Sequence, residues 1–375
     1  MMIVIAAGGT GGHLYPAVAL AQEFLRRDPA VRVLFVGTAR GLESKVLAHE
    51  GFELALISAK PVMGTGPVGI LKGLAAMPLS FWQCLKILRS RRASLVIGVG
   101  GYTSPMMVAA AAAAGVARVI LEPNANPGMA NKAVGPFAQR IFVAFESAAQ
   151  RFDRAKVRVV GTPIRRAFIQ AALAGSGTSR TPGEFRLLIF GGSQGAKAIN
   201  SAVIEGLRTV RDAQARLAIT HQTGEADHAR VTEAYRQAGI SASVVPFIYD
   251  MPAAITGADL VVARAGAMTV AELTTCGKPA VLIPLPTAIY DHQTKNAQVM
   301  EAAGAAVLLP QSELTGKTLA QLIGSLAGDS GRLAAMAAAS LSLRRTDAAE
   351  AIVRECYALV GGGHDKRQSL GAGAL

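Results

Sequence analysis

The sequence predicts an α/β protein made of two doubly wound domains of the nucleotide-binding type. Short apolar runs alternate with segments of helical period along the chain, as parallel sheets flanked by helices require. A glycine loop, Gly8-Gly9-Thr10-Gly11-Gly12-His13, follows the apolar run 2–7 and opens a helix marked by Leu14, Ala17, Val18, Ala21, Phe24 and Leu25. A second loop, Gly191-Gly192-Ser193-Gln194-Gly195, follows the apolar run 185–190. Two such loops half a chain apart imply two facing domains.

Strand, glycine loop and helix together aim backbone N–H groups and a helix N-terminus at an anion. Glycine permits the close approach and positive φ that this geometry demands. His13 adds an imidazole whose ordinary pKa suits proton transfer near neutrality.

Bulk properties bound the partners. The 375 residues suffice for two full cores, and 51% hydrophobic with 17% charged residues excludes wholesale disorder. Cys84, Cys276 and Cys356 are few and scattered, which argues for a reducing compartment and against a disulfide framework. No basic n-region precedes the first apolar run, so no cleaved signal is expected. The most apolar stretch, 105–121, is broken by Gly115 and Arg118 and is short of a membrane span, which points to a cytoplasmic protein. A net charge of +13 implies an acidic partner: nucleotide, nucleic acid or anionic membrane. Nucleic acid ranks low, because aromatics are only 5% and no basic, aromatic-interleaved module is visible.

In the first half, strands are expected at 31–36, 52–57, 95–99, 118–121, 141–145 and 157–160, with a helix at 42–49. Gly64-Thr65-Gly66-Pro67-Val68-Gly69 matches G-x-G-x-x-G but lies in the wrong strand–helix unit, contains Pro67 and lacks a downstream acidic strand end; it reads as a plain flexible loop. The stretch 70–92 mixes Ile70, Leu74, Phe81 and Trp82 with Lys72, Lys86 and Arg89 and has no acidic residue. It is either a surface for anionic lipid or a helix packed on its own sheet with a basic edge. After the turn Gly100-Gly101-Tyr102, Glu122-Pro123-Asn124 ends a strand, where open α/β sheets bind ligands. Glu122 and Asn124 read equally as ligand contacts or as turn formers.

The segment 161–166 reads as the crossing between halves, with Arg165 able to reach an anion, and 171–183 as a surface loop. In the second half, strands are expected at 216–220, 243–248, 260–263 and 280–284, with motifs His221-Gln222-Thr223-Gly224 and Asp291-His292-Gln293 after strand ends. Glu272 is placed either to accept from a ribose diol or to be a solvated helix carboxylate. No two of the ten aspartates are separated by a single residue, and no histidine spacing suggests zinc, so a metal-free mechanism without cofactors is favoured. Gly316-Lys317-Thr318 resembles a P-loop end, but Gln311 stands where that motif needs glycine.

Together GGTGGH, GGY, GGSQGA, HQTG, FIYDM, RAGAMTVAEL and DHQTKNA resemble, in order and spacing, the motifs of the MurG family, over residues 2–358. These are GT-B glycosyltransferases of bacterial peptidoglycan synthesis. The resemblance implies two Rossmann-like, doubly wound parallel-sheet domains facing a central cleft. It implies an acceptor- and membrane-facing domain at 1–162, a UDP-N-acetylglucosamine domain at 163–345, a helix at 346–360 packing back on the first domain, and a flexible tail at 361–375. The activity implied is inverting, metal-independent transfer of N-acetylglucosamine to lipid I at the inner face of the cell membrane, with cell-wall synthesis and division proteins as partners.

Carried across by motif, Thr10, Gly11 and Gly12 line the site, and His13 is a base or a diphosphate ligand. Asn124 and Gln293 meet the sugar, Arg165 and Ser193 the nucleotide diphosphate, and Ile248 the uracil. Ala267, Met268, Thr269 and Val270 form the diphosphate turn, Glu272 binds ribose, and the membrane patch falls on 70–92. The family often has His-Glu-Gln-Asn where this chain has Leu121-Glu122-Pro123-Asn124, which puts any acceptor contact at Leu121 and Pro123 in question.

The competing enzyme readings are a related transferase with another lipid acceptor and a UDP-N-acetylglucosamine 2-epimerase, which needs carboxylates these loops do not clearly offer. A nicotinamide dehydrogenase needs glycine where the first loop has Leu14. A non-catalytic membrane adaptor leaves the polar strand-end residues of both halves unexplained.

Overall fold

A computed structural model describes residues 1–8, 11–38, 43–60, 66–175, 183–213 and 217–371. The chain divides into two compact units, Met1–Arg165 with Thr346–Leu375, and Arg166–Arg345.

In the first unit, seven strands are β1 Met2–Ala7, β2 Arg32–Gly37, β3 Glu53–Leu56, β4 Leu95–Gly100, β5 Ala117–Glu122, β6 Arg140–Val143 and β7 Val157–Val159. They form one parallel sheet in the order β3-β2-β1-β4-β5-β6-β7. β1 is apolar at every position because both of its faces are covered. Ile3 and Ile5 pack with Leu14, Phe24 and the late helix residues Ile352, Val353 and Cys356, whereas Val4 and Ala6 pack with Cys84, Leu88 and Val108. The strand order reverses between β1 and β4, the position where open α/β sheets bind ligands. There the pairing slips: Ala6 faces Gly98 but Ala7 faces Gly100, so β4 carries an extra residue at its end.

The second unit has β8 Phe185–Phe190, β9 Leu217–Gln222, β10 Ala242–Val245, β11 Leu260–Ala263, β12 Ala280–Leu282 and β13 Ala306–Leu308. They form a parallel sheet ordered β10-β9-β8-β11-β12-β13, with its reversal between β8 and β11.

Several expectations change. The G-x-G-x-x-G segment is not a plain loop. Gly66–Gly69 are the first residues of the helix Gly66–Ser90, whose early Pro67 needs no amide donor there; Gly64 and Thr65 lie outside the described residues. The expected loop 171–183 begins as helix, since Arg166–Ala174 ends in strong helix formers, and 176–182 lie outside the described residues. The strand expected to reach Ile248 stops at Val245, because Pro246 has no amide for the ladder. Gly316-Lys317-Thr318 opens a helix capped by Thr315, whose hydroxyl accepts from Thr318 N at 3.1 Å. Instead of a flexible tail from 361, the helix Ala348–Gly371 continues through the glycines, propagating one bond per residue. Residues 372–375 lie outside the described residues.

That helix is integral to the first unit. Phe24 and Tyr357 rings lie 5.9 Å apart, Arg27 stacks over Tyr357 at 5.2 Å, and Arg140 meets Glu355 at 3.4 Å. Ile352 is wholly buried among Ile3, Ile5 and Phe24. Ile352→Ala is expected to lower unfolding free energy by about 2–5 kcal/mol, measured by urea unfolding followed by circular dichroism. A loss below the lower bound would mean the helix does not share this core.

Candidate functional site

The candidate residues follow several strand ends of each sheet, with a glycine loop at each reversal point. In the first unit, β1 ends at Ala7 and the helix Gly11–Arg27 begins four residues later, so Gly11 and Gly12 are its first-turn residues. Gly9 and Thr10, the latter an expected ligand contact, lie outside the described residues. Across the reversal, a Cβ on Gly101 (φ +73°) would lie 2.1 Å from the carbonyl oxygen of Gly8. Backbone therefore rests directly on backbone, and only glycine fits. A Cβ on Gly100 (φ +113°) would lie 2.8 Å from Cδ2 and Nε2 of His13, so the imidazole lies over the bulged end of β4.

Two further residues are set by neighbours. The Arg165 guanidinium stacks over the Tyr15 ring at 4.6 Å, and that ring also flanks Gly11. Glu122 resolves the choice left open by the sequence in favour of loop organiser. Its buried carboxylate accepts from Asn124 N at 3.0 Å, Asn124 Nδ2 at 3.1 Å, Gly128 N at 3.0 Å and Asn131 Nδ2 at 3.0 Å. Burial pushes its pKa up, countered by these hydrogen bonds. Asn124 is thus presented by Glu122. Leu121 and Pro123, the family departures, are buried, and Leu121 packs in the sheet core, so neither side chain is available to an acceptor.

In the second unit, Gly191, Gly192 (φ +91°) and Gly195 (φ +73°) bend the loop after β8, closed by Gly195 N donating to Gly192 O at 2.8 Å, with Ser193 exposed at the tip. Across the reversal, Gly266 opens the helix Ala267–Cys276 without any side-chain cap. Ala267, Met268 and Val270 turn their side chains into the core, which leaves this end defined by its backbone amides, with Thr269 half-buried. Asn296 Nδ2 donates to Ala265 O at 3.1 Å, and Arg264 donates to Ile283 O at 3.1 Å, Pro284 O at 3.0 Å and Gln311 Oε1 at 2.6 Å. Burial lowers the Arg264 pKa, and its charge serves to hold carbonyls around the turn.

Glu272 is only 7% exposed, which removes the solvated-carboxylate reading. Gln293 Oε1 accepts from Leu285 N at 3.0 Å, leaving its NH₂ group on the far side of the amide. The two-residue approach to its helix is strained: Tyr290 (φ 58°) and Asp291 (φ 54°) are both left-handed without being glycine. No sequence signal marks that strain. Ile248 follows β10 and is half-buried beside Phe247 and Tyr249, whose rings meet edge to face at 5.1 Å.

On the helix Gly66–Ser90 the exposed positions among the described side chains are 71, 75, 78, 79, 82, 86, 89 and 90, and 71–89 form a stripe at helical spacing. Its apolar members are Leu71 (69% exposed), Leu79 (53%) and Trp82 (62%), and it ends in Lys86 and Arg89. Phe81 is half-buried against the sheet, while Cys84 and Leu88 face the core. Ile70, Lys72 and Leu74 lie on the same helix, their side chains outside the described residues. Among the described residues no helix is long and apolar enough to cross a membrane, and no group of three His, Cys, Asp or Glu side chains is disposed to hold a metal ion.

Residues 3–143 match the glycosyltransferase family 28 N-terminal domain and residues 186–352 the C-terminal domain of that family. A relative from Syntrophus aciditrophicus, a UDP-N-acetylglucosamine--N-acetylmuramyl-(pentapeptide) pyrophosphoryl-undecaprenol N-acetylglucosamine transferase, is 46% identical over 358 residues, covering 96% of this chain and 98% of its own. The transferase of the same name from Geobacter sulfurreducens is 44% identical, with the same coverage. Among solved structures, MurG of Acinetobacter baumannii matches at a TM-score of 0.73 with 30% identity, covering 95% of this chain and 98% of that one. A UDP-N-acetylglucosamine 2-epimerase shares the fold at a TM-score of 0.67 and 14% identity, over 96% and 97% of the chains.

One buried titratable group behind the second loop makes stability pH-dependent. Burial pushes the His221 imidazole from 6.5 down to about 4, partly offset by the Asp227 carboxylate. Between those values the unfolded chain binds the extra proton, so stability is full above pH 6.5 and declines as pH falls. His221→Gln is expected to abolish about 2 kcal/mol of the stability lost between pH 7 and pH 5, read from urea midpoints. An unchanged pH slope in the variant would rule this out.

Proposed function

The chain belongs to glycosyltransferase family 28, and from that premise we propose that it transfers N-acetylglucosamine from UDP-N-acetylglucosamine to the 4-hydroxyl of the muramoyl sugar of lipid I, giving lipid II for peptidoglycan synthesis. One helix carries the reading. The N-terminus of Ala267–Cys276 offers amides uncapped by side chains, and little more than one turn on Glu272 is buried. That pairing suits a nucleoside diphosphate, amides to phosphate and carboxylate to the ribose diol.

The acceptor oxygen attacks the anomeric carbon opposite the diphosphate. The carbon–oxygen bond to the diphosphate breaks with its electron pair, and the hydroxyl proton passes to the His13 imidazole. Charge growing on the leaving diphosphate is received by the amides of Ala267, Met268, Thr269 and Val270 and by the Ser193 loop, with Arg165 adding a cation. Backbone groups at Ile248 take the uracil, and Asn124 and Gln293 the sugar hydroxyls. Thr10, Gly11 and Gly12 take the acceptor diphosphate. Amide dipoles supply the positive field, so no divalent cation is needed.

Labelled N-acetylglucosamine should pass to a short-chain lipid I analogue with EDTA present. Glu272→Ala should raise KM for the donor roughly 10- to 100-fold, the loss expected for charge-assisted hydrogen bonds. His13→Ala should lower kcat about 10²- to 10⁴-fold. Loss of transfer in EDTA sinks the metal-free step, and a His13→Ala effect confined to acceptor KM would make His13 a diphosphate ligand instead.

We also infer that the stripe on Gly66–Ser90 seats the enzyme on the anionic inner face of the membrane, where its lipid acceptor resides. Supporting this are the exposed Leu71, Leu79 and Trp82 beside Lys86 and Arg89, with apolar insertion and headgroup attraction acting together. Leu79→Glu with Trp82→Glu should reduce co-sedimentation with phosphatidylglycerol vesicles at least about tenfold while leaving turnover of a soluble acceptor analogue intact. Undiminished vesicle binding would remove this surface from consideration.

A further inference from the structure

The motif His221-Gln222-Thr223-Gly224 has no part in the transfer chemistry just described, yet its histidine is wholly buried and held at both nitrogens. Nδ1 lies 3.2 Å from the Tyr235 hydroxyl and Nε2 3.1 Å from Asn200 Oδ1. The partners fix the tautomer. Asn200 Nδ2 donates to Thr223 O at 3.0 Å and to Asp227 Oδ2 at 2.7 Å, so its Oδ1 must accept. Nε2 of His221 therefore carries the proton, and Nδ1 accepts from Tyr235. Asp227 is gripped in turn by Arg230, at 2.6 and 2.7 Å.

This chain of bonds ends on the carbonyl of Thr223, and that atom supports the second glycine loop. A Cβ on Gly195 would lie 1.9 Å from Thr223 O, and one on Gly224 would lie 2.2 Å from Gln194 O. Two backbones in direct contact shift together. Gly192, Ser193 and Gln194 are exposed, so core packing does not set their course; the Thr223–Gly224 turn does.

We propose that His221 is a positioning residue for the donor, fixing the Ser193 loop through Asn200 and the Thr223 carbonyl. The inference rests on the reading that this loop meets the donor diphosphate. His221→Phe keeps the volume but leaves Asn200 Oδ1 and the Tyr235 hydroxyl unpaired, freeing the Asn200 amide to turn and abandon Thr223. His221→Gln offers an N–H donor and a carbonyl acceptor in place of the two ring nitrogens.

The test is calorimetric titration with UDP, whose stoichiometry counts folded sites, beside steady-state kinetics and thermal melting. His221→Phe should weaken UDP binding about tenfold per folded site and raise donor KM alike, leaving acceptor KM unchanged; His221→Gln should return within about threefold of the parent. If His221→Phe does not accumulate folded, Tyr235→Phe, which lacks one hydroxyl, should show about a two- to threefold loss of UDP affinity. A lowered melting temperature with UDP affinity per site unchanged overturns the proposal, because His221 then only completes a core. If Ser193→Ala and Glu272→Ala also leave UDP affinity unchanged, the donor reading of the second unit is what fails.

Discussion

The site rests on glycine backbone packed against backbone at strand ends. At three places a single methyl group would collide with a carbonyl oxygen: Gly101 against Gly8, Gly195 against Thr223, and Gly224 against Gln194. Each of these glycines also has positive φ, so conformation and space impose the same choice. Such contacts bring neighbouring strand ends closer than side chains allow. The end of each parallel sheet is thereby narrowed to a tight turn.

Around those turns, the charged and amide side chains are largely committed inward. Glu122 accepts four hydrogen bonds from its own loop. Arg264 donates to three oxygens around the turn after β11, and Asn296 holds the Ala265 carbonyl. A backbone oriented in this way needs no reorganisation when charge develops on a ligand, and that is the condition under which amide dipoles are most effective. Glu122, which the sequence offers as a ligand contact, is thus a support of its own loop.

Much of this was legible beforehand, for physical reasons that also explain the gaps. β1 and β8 announce themselves because strands covered on both faces are uniformly apolar, and the loops after them because glycine has few other reasons to cluster. The extent of the strand before Ile248 was misjudged because apolar residues continue past Pro246, although a proline ends the ladder. Gly66–Gly69 were misjudged in the other direction, since helix packing outweighs the weak propensity of glycine. β13, three residues long, offers too short a pattern to detect. Tyr290 and Asp291 take a left-handed turn that their residue types do not signal. Nor does a sequence separate a carboxylate that supports, like Glu122, from one that is a candidate ligand, like Glu272; both are buried, and only the structure shows Glu122 taken up by its own loop.

The two units solve one problem with different supports. In the first, the reversal point itself is braced, Gly101 of the β4 turn bearing on Gly8 of the β1 loop, with His13 lying over Gly100. In the second, the loop after β8 is braced from the opposite neighbour, β9, and the reversal side is left to the helix Ala267–Cys276. On the proposed transfer reading, the difference matches what each unit presents. In the proposed transfer, the bulged end of β4 is a hard floor beneath the His13 ring. For the proposed donor site, bracing from β9 holds the β8 loop while its tip residues Gly192, Ser193 and Gln194 stay exposed.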